Sequence, residues 1–391
     1  MSSSEIYLDN AATTFPKPPE VYDAINRFMR EMGGSPGRGL YAKAVESEEM
    51  LSETRERIAA LLGAPDPTRI VMTSNSTEAL NIALKGYLHA GDHVVSTCLE
   101  HNAVVRPLWT LTKTRDVKVT TVDSTIYGEI DPEEIAAAIR PETRLIVCVH
   151  GNNVLGSIID IKRVVEIAHK RGIAVLCDGS QTAGTLPLSV GALGVDMFAF
   201  TGHKGLLGAP GTGGLIVGPR IDLEPLKEGG TGSASESPEP PEWLPDRLEP
   251  GTPNTYGIAG LCAGVKWLEQ RGVAWVREHE SLLSQRLLER LMATRGVIVY
   301  SPPEPSIRLG VVSMNFEHLS PTDACGILAQ KFKIDARCGL HCSPLTHRRL
   351  GTEHTGTIRL SVGVFNTIAD VDTAADAIAR ISDVIYRRKA S

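Results

Sequence analysis

The sequence lacks any apolar run long enough to span a bilayer, which argues against an integral helical membrane protein. Its start, MSSSEIYLDN, lacks the basic and then apolar order of a secretory signal. There is no surplus of positive charge either. Lysine and arginine total 40 against 46 acidic residues, a net charge of −6, so neither nucleic acid nor an anionic membrane is an expected partner. The seven cysteines are an odd number and are scattered. Cys98, Cys148 and Cys177 lie in apolar strand-like runs, VVSTCLE, LIVCVH and AVLCD, where a thiol serves as a small hydrophobe. That usage excludes a disulfide scaffold and fits a reduced, cytoplasmic setting. No internal repeat is visible.

What the sequence does contain is alternation. Its 391 residues, 42% of them hydrophobic, favour a large domain with a smaller one beside it. ESEEMLSETRERIAALLG spaces Met50, Thr54, Ile58 and Leu61 along one helical face, with Gly63 as the stop. RLIVCVHGNN, DIKRVVEIAHKRG and IAVLCD follow as strand, helix and strand, a crossover unit that implies parallel pairing. The near-continuous apolar strands suggest a sheet covered on both faces. Residues 229–254, rich in Gly, Pro, Ser and Glu, read as one long functional or disordered loop. The expected division is a large domain over 16–271, with 1–15 and 272–391 forming a smaller α+β domain.

Ligands of parallel sheets bind at the strand ends, and four such ends carry chemistry. VLCDGSQ ends a strand with Asp178 and, three residues on, Gln181. FAFTGHK ends another with Thr201, His203 and Lys204. TSNSTEALN puts Ser76 and Thr77 at a helix start, where hydroxyls and free N–H groups suit a phosphate. CLEHNAVV brings His101 to a fourth end. A phosphate cup, a carboxylate, an imidazole and a lysine are the parts that hold pyridoxal phosphate: the lysine forms a Schiff base with the aldehyde and the Asp pairs with the ring nitrogen. His101 could stack on the ring, and glycines beside Lys204 would let backbone approach it. Taken singly, each feature has an ordinary alternative: a turn aspartate, a helix cap, a solvated histidine.

These stretches resemble the class V, fold-type I pyridoxal-phosphate enzymes, and within them the SufS-like (group II) cysteine desulfurases. YLDNAATT, NSTEALN, NNVLG, CDGSQ, TGHK, EPGTPN, RCGLHCSP and RLSVGVFNT occur in family order over nearly the whole chain. The resemblance implies a mainly parallel seven-stranded-type sheet covered by helices. It makes Lys204 the Schiff-base lysine and Asp178 and Gln181 the partners of the ring nitrogen and ring oxygen. His101 becomes the stacking histidine, and Ser76, Thr77, Thr201 and His203 become phosphate contacts. It implies that Thr252 reaches the phosphate of a second subunit in a homodimer. Asn153 and Arg359 would hold the carboxylate of L-cysteine, a task suited to a planar guanidinium. Cys342 would take the sulfur as a persulfide, leaving L-alanine, and pass it to an acceptor protein.

A thiolate must accept that sulfur, and His341 and Arg337 stand near enough in sequence to be expected to favour it. Alternatives are selenocysteine lyase, cysteine-sulfinate desulfinase, another class V aminotransferase, or a non-catalytic sulfur or metal relay. Cys338, His341, Cys342 and His347 are four potential ligands, but they lack the paired knuckle spacing of structural zinc, so no metal is expected. A Cys338–Cys342 disulfide is a further alternative.

Overall fold

Seven short apolar segments form one sheet in the order Ile70–Thr73, Gly213–Val217, Met197–Thr201, Ala174–Asp178, Thr143–Val149, His93–Thr97 and Lys118–Val122. The computed structural model describes residues 5–37 and 39–390, with side chains to 387. Successive residues of the central strands enter opposite cores. Leu145 and Val147 pack on one face, Ile146 and Cys148 on the other, and Leu176 and Cys177 divide the same way. Both faces are therefore apolar, as expected for a sheet sandwiched between helices. Cys148 and Cys177 are cross-strand neighbours in this core and are fully buried.

Five strands run parallel, in line with the crossover pattern. Gly213–Val217 instead runs antiparallel to both its neighbours, which the apolar pattern alone does not reveal. The reason is its connection. The loop 202–212 holds no helix, so it can only turn the chain back rather than carry it across the sheet. That loop bears Lys204.

The helix Ala42–Leu62 forms where its periodicity predicts, but its buried face is shifted by one residue. Ser47, Leu51, Thr54, Ile58 and Leu62 are buried, while Met50 and Leu61 lie at the margin. Residues 229–254 contain only a single short turn of helix, Asp246–Leu248. Beyond the helices Thr255–Arg271 and Val273–Met292, an antiparallel sheet is built in the order Arg337–Gly339, Thr357–Ser361, Val311–Phe316 and Val297–Val299. It has its own core with the helix from Ile368. The segment Ile6–Tyr7 pairs parallel with Ile334–Asp335, which carries Asp9 into a bridge with Ser361. Among the described residues no helix is long and apolar enough to cross a membrane.

Candidate active site

The strand ends converge on one cleft. Ser76, Thr77, His101, Asn153, Asp178, Gln181, Thr201, His203 and Lys204 all line it. Asp178 ends the strand Ala174–Asp178 and Thr201 ends the next one, so parallel pairing brings both to the same edge of the sheet; Asp178 pairs with Ala199, two residues before Thr201. The helix Ser76–Tyr87 starts at the rim, capped by Asn75, whose Oδ1 accepts from Glu78 N at 3.0 Å. Its first N–H groups, on Ser76 and Thr77, have no partner within an α-helix and are available to an anion. His101 caps the helix Asn102–Thr114, its Nδ1 accepting from Ala103 N at 3.0 Å. The neutral ring therefore carries its proton on Nε2. Burial lowers the His101 pKa, although the Asp178 charge opposes it.

Lys204 and Asp178 are complementary in charge and both incompletely partnered. Burial pulls the Lys204 amine down to about 8 from the ordinary 10.5, with Asp178 opposing the fall. Among the described residues no group accepts a hydrogen bond from Lys204 Nζ. Asp178 Oδ1 accepts from Ser180 N at 3.0 Å, from the Ser180 hydroxyl and from Ser76 Oγ at 3.3 Å, whereas Oδ2 has no partner among the described residues. A buried carboxylate is normally satisfied at both oxygens, so Oδ2 is free to meet a cationic N–H. Gln181 Nε2 donates one N–H to Ala11 O at 3.0 Å and keeps a second for the cleft. The glycines flanking Lys204 serve a different end from the one the sequence suggests. A Cβ on Gly205 would lie 2.4 Å from Ala183 O, and one on Gly202 would lie 2.1 Å from Thr212 Oγ1. They let the lysine loop press against protein.

Cys342 sits beside the cleft on a pinned loop. His341 and Cys342 take φ of +47° and +57°, two successive left-handed residues that no glycine relieves. The loop is held by its main chain: Asn153 Nδ2 donates to His341 O at 2.7 Å and Asn102 N donates to Cys342 O at 2.7 Å. Ser343 Oγ donates to Asn153 Oδ1 at 2.7 Å. Cys342 itself is exposed. His341 cannot favour a thiolate by charge, contrary to expectation. Its Nε2 donates to Thr357 O at 3.0 Å, and burial pushes its pKa down to about 3, so the ring is neutral. Cys338 and Cys342 are free thiols, and Cys338 lies against Cys325 instead. Among the described residues no group of three or more His, Cys, Asp or Glu is arranged to hold a metal.

Arg359 is buried beside this loop, and Asp9 is its partner, a residue that the sequence reading did not single out. Asp9 Oδ1 accepts from Arg359 Nη2 at 2.8 Å, and Oδ2 accepts from Arg337 Nε at 2.9 Å. Arg359 Nη1 donates to Asn153 O at 3.2 Å, and its buried Nε has no partner among the described residues. The only early signal for Asp9 is an acidic residue closing the apolar run IYL. Lys17 was also missed; its ammonium donates to the His203 carbonyl at 2.6 Å. Thr252 is not brought to the Lys204 cleft. It lines two neighbouring depressions with Glu249 and Gly251.

The family model for aminotransferase class V matches residues 6–373. A probable cysteine desulfurase of Methanothermobacter thermautotrophicus is 33% identical, covering 96% of this chain and 94% of the relative. Another from Halalkalibacterium halodurans is 31% identical over 97% and 93%. Among solved structures, an apo cysteine desulfurase from Thermococcus onnurineus superposes with a TM-score of 0.90 at 29% identity, covering 97% and 95% of the two chains. The cysteine desulfurase CsdA of Escherichia coli, solved as an S-sulfonic acid, gives 0.87 at 28% identity over 98% and 96%.

Proposed function

The chain belongs to the class V aminotransferase family, among its cysteine desulfurases, and from that premise we propose how its residues take sulfur from L-cysteine and release L-alanine. The observation that carries the reading is that one cleft holds the half-buried Lys204 amine and Oδ2 of the buried Asp178 carboxylate, neither with a hydrogen-bond partner among the described residues. Those two groups, with the hydroxyls and helix N-terminus at Ser76 and Thr77, fit pyridoxal phosphate. Lys204 would hold its aldehyde carbon, Asp178 Oδ2 its protonated ring nitrogen, and Ser76, Thr77, Thr201 and His203 its phosphate. His101 would lie against the ring. When bound, the cofactor supplies an electron sink for bond breaking beside the substrate's amine-bearing carbon.

The protein's own groups do the rest. Arg359 would receive the substrate carboxylate: Asp9 and the Asn153 carbonyl fix its guanidinium plane, and its Nε has no partner among the described residues. Lys204 Nζ takes and returns a proton, a task suited to an amine whose affinity burial has brought to about 8. His101 keeps its Nε2 proton available at the cleft. Cys342 Sγ accepts the substrate sulfur, and the persulfide stays on an exposed loop where an acceptor protein can reach it. Arg337, whose guanidinium is paired with Asp9, is the cation of this network, since the neutral His341 brings no charge. The placement of Thr252 away from its own cleft supports the homodimer reading, in which it serves the cleft of a second copy.

Two measurements test this. Incubation with L-cysteine should yield alanine and sulfane sulfur in equal amounts, with one added sulfur on the peptide containing Cys342. Transamination products in place of alanine would refute the reading. Asp9→Asn should raise KM for L-cysteine about tenfold while leaving kcat and cofactor absorbance nearly unchanged, the effect of weakening one charged hydrogen bond that orients Arg359. An unchanged KM would remove Asp9 from substrate binding.

A further inference from the structure

The cradle at Ser76, Thr77, Thr201 and His203 has a deficit of charge. Its hydroxyls are neutral, and burial, reinforced by the nearby Lys204 and Lys17 charges, holds His203 near 4, so its ring is neutral too. Its buried Nδ1 has no partner among the described residues. Lys204 is committed to another task. Across the His203 peptide stands the opposite imbalance, a half-buried ammonium with no carboxylate partner among the described residues. Among the described residues Lys17 Nζ donates only to neutral acceptors, His203 O at 2.6 Å and Thr14 Oγ1 at 2.5 Å. Burial alone pulls it down to about 7. Burying a cation without an anion is costly and persists only where something offsets it.

Holding the lysine loop in place does not require this cation. The His203 carbonyl already receives Thr14 N at 3.1 Å, Thr13 Oγ1 at 3.1 Å and Thr14 Oγ1 at 3.3 Å. An ammonium adds little to an acceptor so well supplied. The segment AATTFPKP thus brings a charge, rather than a needed hydrogen bond, to the residue that joins the cradle to Lys204.

We propose that Lys17 is the counter-charge for the phosphate end of the cofactor, completing by charge a cradle otherwise made of neutral donors. The proposal rests on the pyridoxal phosphate reading above. It assigns to Lys17 a long-range attraction for the phosphate dianion, delivered across the His203 peptide.

The test uses apoenzyme prepared by stripping cofactor from the purified protein, titrated by calorimetry with inorganic phosphate, pyridoxal phosphate and phosphate-free pyridoxal. Lys17→Gln keeps a donor for the His203 carbonyl but loses the charge, whereas Lys17→Arg keeps both. The Gln variant should bind inorganic phosphate and pyridoxal phosphate about tenfold or more weakly, and pyridoxal within about twofold of wild type, as one unit charge beside a dianion predicts. The Arg variant should bind all three nearly as wild type does. Equal weakening toward pyridoxal, or no weakening toward phosphate, would overturn the assignment of Lys17 while leaving the cofactor reading intact. Wild-type apoenzyme that takes up no pyridoxal phosphate would overturn both.

Discussion

Lys204→Ala is expected to lower desulfurase turnover by at least about 10³-fold, because it removes both the covalent anchor and the proton-transferring amine. Borohydride reduction of the wild-type protein should fix one cofactor per chain on the Lys204 peptide, and the variant should show none there. The physical basis is that this amine sits on a strand-end loop lining the cleft, half-buried, with no hydrogen-bond acceptor among the described residues. An ammonium left so would be costly. Burial brings it instead to about 8, where about a tenth is the neutral, nucleophilic form at pH 7, against well under a thousandth for an ordinary lysine. Noncovalent cofactor uptake should survive in the variant, because Asp178, Ser76 and Thr77 are unaltered. Lys204→Arg should not rescue turnover, since a guanidinium does not give up its proton in this range. Stoichiometric borohydride fixation on another lysine of the Ala variant would sink the assignment.

Cys342→Ala should separate the two halves of the chemistry. Cofactor attachment and L-cysteine binding should persist, while sulfane sulfur formation should fall by at least about 10²-fold, a modest figure for removal of a nucleophile. The loop should survive the change. Asn102 N and Asn153 Nδ2 hold it through the Cys342 and His341 carbonyls, not through the thiol. Two left-handed residues in a row cost energy of order 1–3 kcal/mol each, and such strain persists only where surrounding bonds impose it. Its effect is to keep Cys342 at a fixed place beside the cleft residues His101 and Asn153. Cys338 is no substitute. It follows Arg337 on a strand, so its side chain leaves the opposite face from the Asp9 network, toward Cys325. Full persulfide formation on Cys338 in the Cys342→Ala protein would show that the pinned loop is not the sulfur acceptor.

Several parts of the site were legible before any fold was known. Asp178, Thr201, Lys204 and His101 each close an apolar strand-like run, and parallel sheets gather such ends at one edge. Ser76 and Thr77 were visible as a helix start for the same kind of local reason. Asp9 and Lys17 were not, because their roles come from contacts with residues more than 180 positions away, Arg359 and His203. His341 misled in the other direction. Its proximity to Cys342 in sequence suggested a helpful charge, but its ring turns away to the Thr357 carbonyl and is neutral.

By itself the sequence determined the alternation of apolar strands and helices, the strand-end position of the reactive groups and the long loop at 229–254. These depend on periodicity and local turn chemistry, which act over a few residues. Only the tertiary structure decided which charges are paired and which are left uncompensated: Arg359 on Asp9, Lys17 beside a cradle with no cation, and Asp178 with one oxygen open. Charge pairing depends on distance and burial, and both exist only after segments far apart in the chain have packed together.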